Sequence, residues 1–189
     1  MLKLYPVRTS DAALYAFMEQ LLITSFPPEE YREPEQLRQN TDHTDNFYNC
    51  VLLDDHTPIG ICSYWSFARF YYIEHLAIAP QLRNKGYGAD VLQLLCRELA
   101  APIVLEVEQP DTPLAERRIR FYHRNGFTLW EHPYLQPPYR EGDGYLPMWL
   151  MSHGNLACEH DFDEVRQTLY KEVYNVKGEK IRPDGRYGK

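Results

Sequence analysis

The sequence predicts an α+β fold in α/β/α layers, built on a mixed, mostly antiparallel sheet of about six or seven strands flanked by helices. Three observations carry that prediction. Residues 46–53, 59–67 and 70–78 are rich in aromatic and branched residues and follow one another across short breaks, which gives an antiparallel meander. A helix-like run at 91–99 separates the third of these from a strand at 102–107, and such a crossover makes the two strands parallel. Residues 127–134 and 145–151 supply a final pair of strands.

Taken in order, Leu2, Leu4 and Pro6-Val7 alternate as a short first strand. Thr9 or Ser10 then caps a helix with Asp11 in its first turn; Leu14, Phe17, Met18, Leu21 and Leu22 give it one apolar face to about Ser25. Pro27-Pro28 stops it. The acidic stretch 29–34 reads as a solvated connection, followed by a short helix through Leu37. Asp54 to Pro58 is a turn, and Gly60, inside the next strand, marks a bulge or a close contact. Alternation is poor from Phe70 to Ile78, as expected of a central strand covered on both faces.

Val91, Leu92, Leu95 and Leu99 mark a buried helix face. Asp111 or Thr112 caps a later helix that runs through Arg124, with Pro113 in its first turn, and Asn125-Gly126 ends it. The loop 136–144 is rich in turn residues and is either plain surface or the border of a cleft. Asp161 and Glu164 read as a capping pair for a last helix, whose stripe of Phe162, Val165, Leu169 and Val173 packs on the sheet or on a partner subunit. Residues 178–189 are polar and expected to be loose. The expected organisation is one domain: a main body at 1–151, with the helix and tail of 152–189 attached to it.

The 189 residues, 44% of them hydrophobic, suffice for one well-buried core. A net charge of −7 argues against nucleic acid or an anionic membrane as the main partner. Four scattered cysteines, with no C-x-x-C pair and no histidine at metal spacing, read as reduced thiols and not as a metal site. The N-terminus has no apolar leader and no stretch reaches 18 apolar residues, so a cytoplasmic protein is expected. Most of the 15 tyrosines read as sheet residues, with an aromatic-walled cleft as the alternative.

The segment 79–90, Ala-Pro-Gln-Leu-Arg-Asn-Lys-Gly-Tyr-Gly-Ala-Asp, lies between a strand and a helix and reads as a phosphate cradle. Gly86 and Gly88 let the backbone turn tightly where a helix dipole is positive, and Arg83 and Lys85 add full charge. It is neither a Walker loop nor a G-x-G-x-x-G turn. Its spacing, Arg83-x-x-Gly86-x-Gly88, resembles the Q/R-x-x-G-x-G/A signature of the GCN5-related N-acetyltransferase (GNAT) superfamily, and Leu76-Ala77-Ile78-x-Pro80 stands where that family has its central strand. Residues 120–127, Arg-Phe-Tyr-His-Arg-Asn-Gly-Phe, resemble the helix end of the same family. The likeness covers roughly residues 2–151 and is specific at these two motifs.

The resemblance implies a GNAT-like sheet whose central parallel pair splays apart, acetyl-CoA (coenzyme A) as donor, and an amine of a small molecule or protein as acceptor, attacked directly in a ternary complex. It implies that Leu76, Ala77 and Ile78 contact the pantetheine arm through their backbone, and that Arg83, Asn84, Lys85, Gly86, Tyr87, Gly88 and Ala89 hold the pyrophosphate. Tyr122 aligns with the family's acid for the thiolate. Glu74, taken to share a face with Leu76, is the first candidate base and Glu106 the second, with a water chain as the alternative. His75, taken to point the other way, reads as structural. In that family the segment after the first helix commonly walls the acceptor site, and carboxylates at 29, 30, 74, 106 and 108 suit a cationic acceptor. One departure is Glu108-Gln109-Pro110-Asp111, where the family often has asparagine, with a longer approach to Tyr122. The competing function is an acyl-CoA-binding module that senses or presents the thioester without turnover; a homodimer is left open.

Overall fold

The computed structural model describes residues 1–176, so the tail expected to be loose at 178–189 lies outside the described residues. Seven strands form one sheet, ordered β1 (Leu2–Pro6), β2 (Phe47–Asp54), β3 (Thr57–Ser66), β4 (Tyr71–Ile78), β5 (Ile103–Glu108), β7 (Leu146–His153) and β6 (Thr128–Gln136). Every pairing is antiparallel except β4 with β5, as their helical crossover requires. The closing hairpin folds back so that β7, not β6, lies against β5.

Helices α1 (Ala12–Ser25), α2 (Pro34–His43) and α5 (Cys158–Thr168) pack on one face, where Met18, Leu22, Leu37, Val51, Trp65, Tyr72, Phe162 and Val165 share an apolar cluster. On the other face α3 (Tyr87–Glu98) and α4 (Pro113–Arg124) cover Leu52, Cys62, Ile73, Leu105 and Met151. The sheet is thus buried on both sides, which explains the weak alternation in its middle strand. Cys50, Cys62, Cys96 and Cys158 are free thiols. Among the described residues no helix is long and apolar enough to cross a membrane.

Several local expectations are corrected. Asp11, not Thr9 or Ser10, stands at the N-cap of α1, because the Thr9 amide and hydroxyl are both engaged by the Asp42 carboxylate. Helix α2 continues past Leu37 to His43; its polar second half hid the period, but Thr41 is buried, donating to Leu37 O (2.7 Å) and accepting from Asn49 Nδ2 (2.7 Å). Helix α5 begins at Cys158, ahead of the expected cap. Asp161 sits one turn inside it and accepts from the Ala157 amide (2.8 Å) while holding Arg69 (2.9 Å). Its apolar stripe packs on the sheet face, and the helix widens at Leu169–Val173, where the Tyr174 amide reaches Leu169 O (3.1 Å).

Gly60 meets both readings offered for it. The β2 register skips from Leu52 opposite Gly60 to Leu53 opposite Pro58, leaving Ile59 as an extra residue. A Cβ at Gly60 would stand 2.5 Å from the carbonyl oxygen of Ala77 on β4. Gly60→Ala is therefore expected to shift β4 and to lower stability by about 1–3 kcal/mol, measured as a reduced urea midpoint at unchanged m-value.

Candidate active site

Strands β4 and β5 pair only through Tyr71 with Ile103, Tyr72 with Val104 and Ile73 with Leu105; beyond that they part. The parting begins at a bulge. Tyr64 of β3 opposes Ile73 and Ser63 opposes His75, so Glu74 is the extra residue. The bulge resets the alternation: Ile73 and Leu76 stay on the α3 and α4 face, whereas Glu74 and His75 both turn to the α1 face. This corrects the expectation that Glu74 shares a face with Leu76 and that His75 points away from Glu74; a regular strand would have done so.

Through the gap runs a cavity of about 790 Å³ that joins the two faces of the sheet. On the α1 side it is lined by Phe26, Glu30, Glu74, His75, Glu106, Gln136 and Tyr139, and on the α4 side by Leu76, Ile78, Leu114, Phe121 and Tyr122. The Ala79 amide donates to Ile59 O (2.9 Å), so the alternate residues Ala77 and His75 also direct their backbone groups to β3. Leu76 and Ile78 direct theirs to the gap. Of the three backbone contacts expected on β4, Ala77 is therefore already committed to the sheet.

Glu74 is fully enclosed. It forms an ion pair with the buried Arg32 guanidinium and accepts from Trp65 Nε1 (3.2 Å). Burial alone would push its carboxyl up; Arg32 outweighs burial, and the group lies below the usual carboxylate range. Arg32 also donates to Val173 O (2.7 Å) and faces the rings of Trp65 and Tyr139, at 5.3 and 4.9 Å. The connection at 29–34, read from charge as solvated, is thus in part a buried strap across the site. His75 Nε2 lies 2.8 Å from Glu30 O, which can only accept, so that nitrogen carries the proton and Nδ1 accepts from Ser63 Oγ (2.9 Å). Burial holds the ring below its ordinary value and neutral.

Glu106 has a different setting. It accepts from Tyr72 (2.8 Å) and Tyr174 (2.7 Å) at Oε2 and from Tyr134 at Oε1, with no cation beside it among these partners. Burial raises its carboxyl to about 7 against the pull of the three phenols. The two candidate bases, Glu74 expected ahead of Glu106, are therefore driven apart: one is locked as an anion, the other poised to exchange a proton near neutrality.

On the opposite side, Gly86 (φ 92°) is the N-cap of α3, and the first amide after it to find a backbone acceptor is Ala89, at Gly86 O (3.0 Å). Gly88 abuts Phe121, whose ring would stand 3.1 Å from a Cβ there. Arg83, Asn84, Gly86, Gly88 and Ala89 line the cavity. Arg83 bends back to Ile78 O (3.0 Å) and Ser25 Oγ (3.3 Å), Asn84 accepts from Arg117 (3.3 Å), and the Tyr87 hydroxyl turns away to Asp54 (3.0 Å). The Tyr87 side chain and Lys85 are not part of the cavity wall. Tyr122 is, near the end of α4, with its phenol pushed up to about 12 by burial and so protonated at neutral pH. Sequence reasoning missed Arg32, Gln136, Tyr139 and the tyrosines around Glu106; the spacing of Tyr134 and Gln136 on one face of a strand was the available signal. It also missed Arg117, Arg118 and Arg124, which bring positive charge from α4 to the cavity mouth.

The acetyltransferase (GNAT) family model matches residues 15–127. A solved structure of a GNAT-family protein from Bacteroides thetaiotaomicron is 56% identical, with TM-score 0.91 over 93% of this chain and 99% of that one. The ribosomal-protein-S18-alanine N-acetyltransferase of Escherichia coli shares the fold at 19% identity, TM-score 0.56, over 83% of this chain and 99% of its own. So does a GNAT-family acetyltransferase from Elizabethkingia anophelis solved with acetyl-CoA bound, at 14% identity and TM-score 0.52, over 80% and 97%. A search of curated proteins finds no match. With its splayed parallel pair, its glycine turn before α3 and a family match over more than half its length, this chain belongs to the GNAT acetyltransferase family.

Proposed function

We propose that the chain transfers an acetyl group from acetyl-CoA to a primary amine by direct attack, with Glu106 as general base and Tyr122 as general acid. The observation that carries this reading is the single cavity that joins a glycine turn and Tyr122 on one face of the sheet to a carboxyl with a pKa of about 7 on the other. The residues of the turn suit a diphosphate: Gly86 and Gly88 keep side chains out of the approach, the amides of residues 84–88 have no backbone acceptor among the described residues, and α4 adds arginines. The gap-facing backbone of Leu76 and the Ile78 amide suit an amide-bearing arm, while Arg83 holds the Ile78 carbonyl. Residues 1–176 act in this reading as one domain, since Tyr174 hydrogen-bonds Glu106 from beyond α5.

Acetyl-CoA, when bound, supplies an activated thioester whose carbonyl carbon accepts the amine. Glu106 ionises near neutrality and takes a proton at Oε1, the oxygen that carries only one phenol. Tyr122 keeps its proton up to about 12 and has it to give to the departing thiolate. Glu74, held as an anion by Arg32, is a poor proton acceptor at pH 7 and serves to position the strap and His75.

Four outcomes are expected. The pH profile of kcat/KM rises through a limb near 7; Glu106→Gln removes that limb, leaves the amine's own ionisation, and lowers kcat by about 10²–10⁴-fold. The sign for stability is opposite to that of an ordinary carboxylate. Because folding raises the pKa of Glu106, its contribution is present in acid and is lost as pH climbs through about 7, a loss the glutamine variant does not show. In steady-state assays Tyr122→Phe lowers kcat at least about 10-fold while coenzyme A binding, read by calorimetry, is retained; equal turnover would remove Tyr122 from the mechanism. Gly86→Ala forces an L-residue to φ 92° at the turn, and coenzyme A binding is expected to weaken about 10-fold.

A further inference from the structure

Gln136, the last residue of β6, is 5% exposed and lines the cavity with Glu106 and Tyr139. Its Nε2 donates to the Tyr174 hydroxyl (2.9 Å), which donates in turn to Glu106 Oε2 (2.7 Å). The orientation of the amide follows from proton counting. A phenol has one proton, the carboxylate claims it through a charge-assisted bond, and the phenol oxygen then accepts, so the amide turns its NH2 there. Gln136 Oε1 is left buried without a partner among the described residues. A buried carbonyl without a donor is unfavourable, and in a cavity wall a ligand's N–H relieves it.

Glu106 has a matching opening. A carboxylate offers about four lone-pair positions, and the phenols of Tyr72, Tyr134 and Tyr174 occupy three, with Oε1 the less engaged oxygen. The α1 side of the cavity therefore presents two acceptors. The cations that reach this side are already engaged among the described residues: Arg32 by Glu74 and Val173 O, Arg118, which acts on Glu30, by Glu108 (2.8 Å), and Arg83 by Ile78 O and Ser25 Oγ, while the His75 ring is neutral with both nitrogens bonded.

We propose that Gln136 Oε1 and Glu106 Oε1 together select the acceptor, and that the acceptor is a primary amine with no carboxylate on the carbon that bears the nitrogen. This rests on the amine-acetylation reading above. The hydrogens of one amino group would satisfy both oxygens, in a space that Tyr139 also lines. An α-carboxylate carried in with that amino group would lose its water beside these same two acceptors and find the nearby arginines already paired.

The test is a paired assay of thiol release from acetyl-CoA by the full chain. The pairs are 2-phenylethylamine with phenylalanine, tryptamine with tryptophan, and 1,4-diaminobutane with ornithine. At least one amine is expected to exceed its carboxylated counterpart in kcat/KM by about 100-fold or more. For that amine, Gln136→Met is expected to raise KM about 10-fold, with the KM for acetyl-CoA unchanged within about 2-fold. Equal turnover of amine and amino acid, or an unchanged amine KM in a folded Gln136→Met variant, overturns the inference and leaves the amine-acetylation reading standing. Should the variant not fold, the wild-type pairs decide alone. Silence from all six compounds, with acetyl-CoA binding intact by calorimetry, overturns the amine reading and this inference with it.

Discussion

The parting of β4 from β5 after Ile73 and Leu105 is the constraint on which the rest of the site depends. A parallel ladder continued through residues 74–78 would consume the backbone groups of Leu76 and Ile78 and close the passage between the two faces of the sheet. The bulge at Glu74 starts the divergence and also resets the alternation, so one extra residue both frees an edge and turns two polar side chains to the same face. Gly60 supports this arrangement from the neighbouring strand, since its missing Cβ is what allows β3 to press against the Ala77 carbonyl.

Opening a gap in the middle of a sheet brings polar groups into the core, and the chain meets that cost in two ways. Glu74 is neutralised by a complete partner set: the Arg32 guanidinium, the Trp65 indole and the aromatic rings around them. A buried pair of this kind adds little net stability relative to apolar residues, but removing one member alone strands a charge and costs about 3–5 kcal/mol, so it fixes the strap at 29–34 in one position. Glu106 is surrounded only by neutral donors. Phenols stabilise its anion without forcing ionisation, and burial pushes the other way, so the two effects leave the carboxyl near neutrality. The distinction between a pinned anion and a titrating acid lies in whether the partner carries a full charge.

Much of the fold was legible because it rests on local patterns. The meander, the crossover after Gly86-Tyr87-Gly88 and the helix closed by Asn125-Gly126 each follow from turn residues and periodicity. The turn before α3 was legible for the same reason, since a glycine turn between strand and helix is a local signal. The surroundings of Glu74 and Glu106 were not. Ranking Glu74 ahead of Glu106 required knowing the partner of each, and those partners stand at sequence separations of 42 for Arg32 and 68 for Tyr174. A bulge leaves no mark in composition, so the parity argument for Glu74 and His75 had nothing to correct it. Tyrosines read as sheet residues were indeed on strands at 72 and 134, yet they point at a carboxylate.

The α1 side of the cavity draws on a part of the chain that the α4 side does not use. Residues 15–127, the span matched by the family model, contain the glycine turn, the gap-facing strand and Tyr122. Tyr134, Gln136, Tyr139 and Tyr174, which set the environment of Glu106 and the shape of the space beside it, all follow that span. Tyr174 is carried there by the widened turn at Leu169–Val173, an arrangement that costs regular helical hydrogen bonding and places a phenol against the open edge of β5. On the proposed reading, the thioester side is built within the matched span, whereas the acceptor side combines Glu30, Glu74 and Glu106 from that span with residues that follow it. On the proposed reading, selectivity is to be sought in the hydrogen-bond inventory around Glu106, where the phenols of Tyr72, Tyr134 and Tyr174 already donate and the open acceptors define what an incoming group must bring.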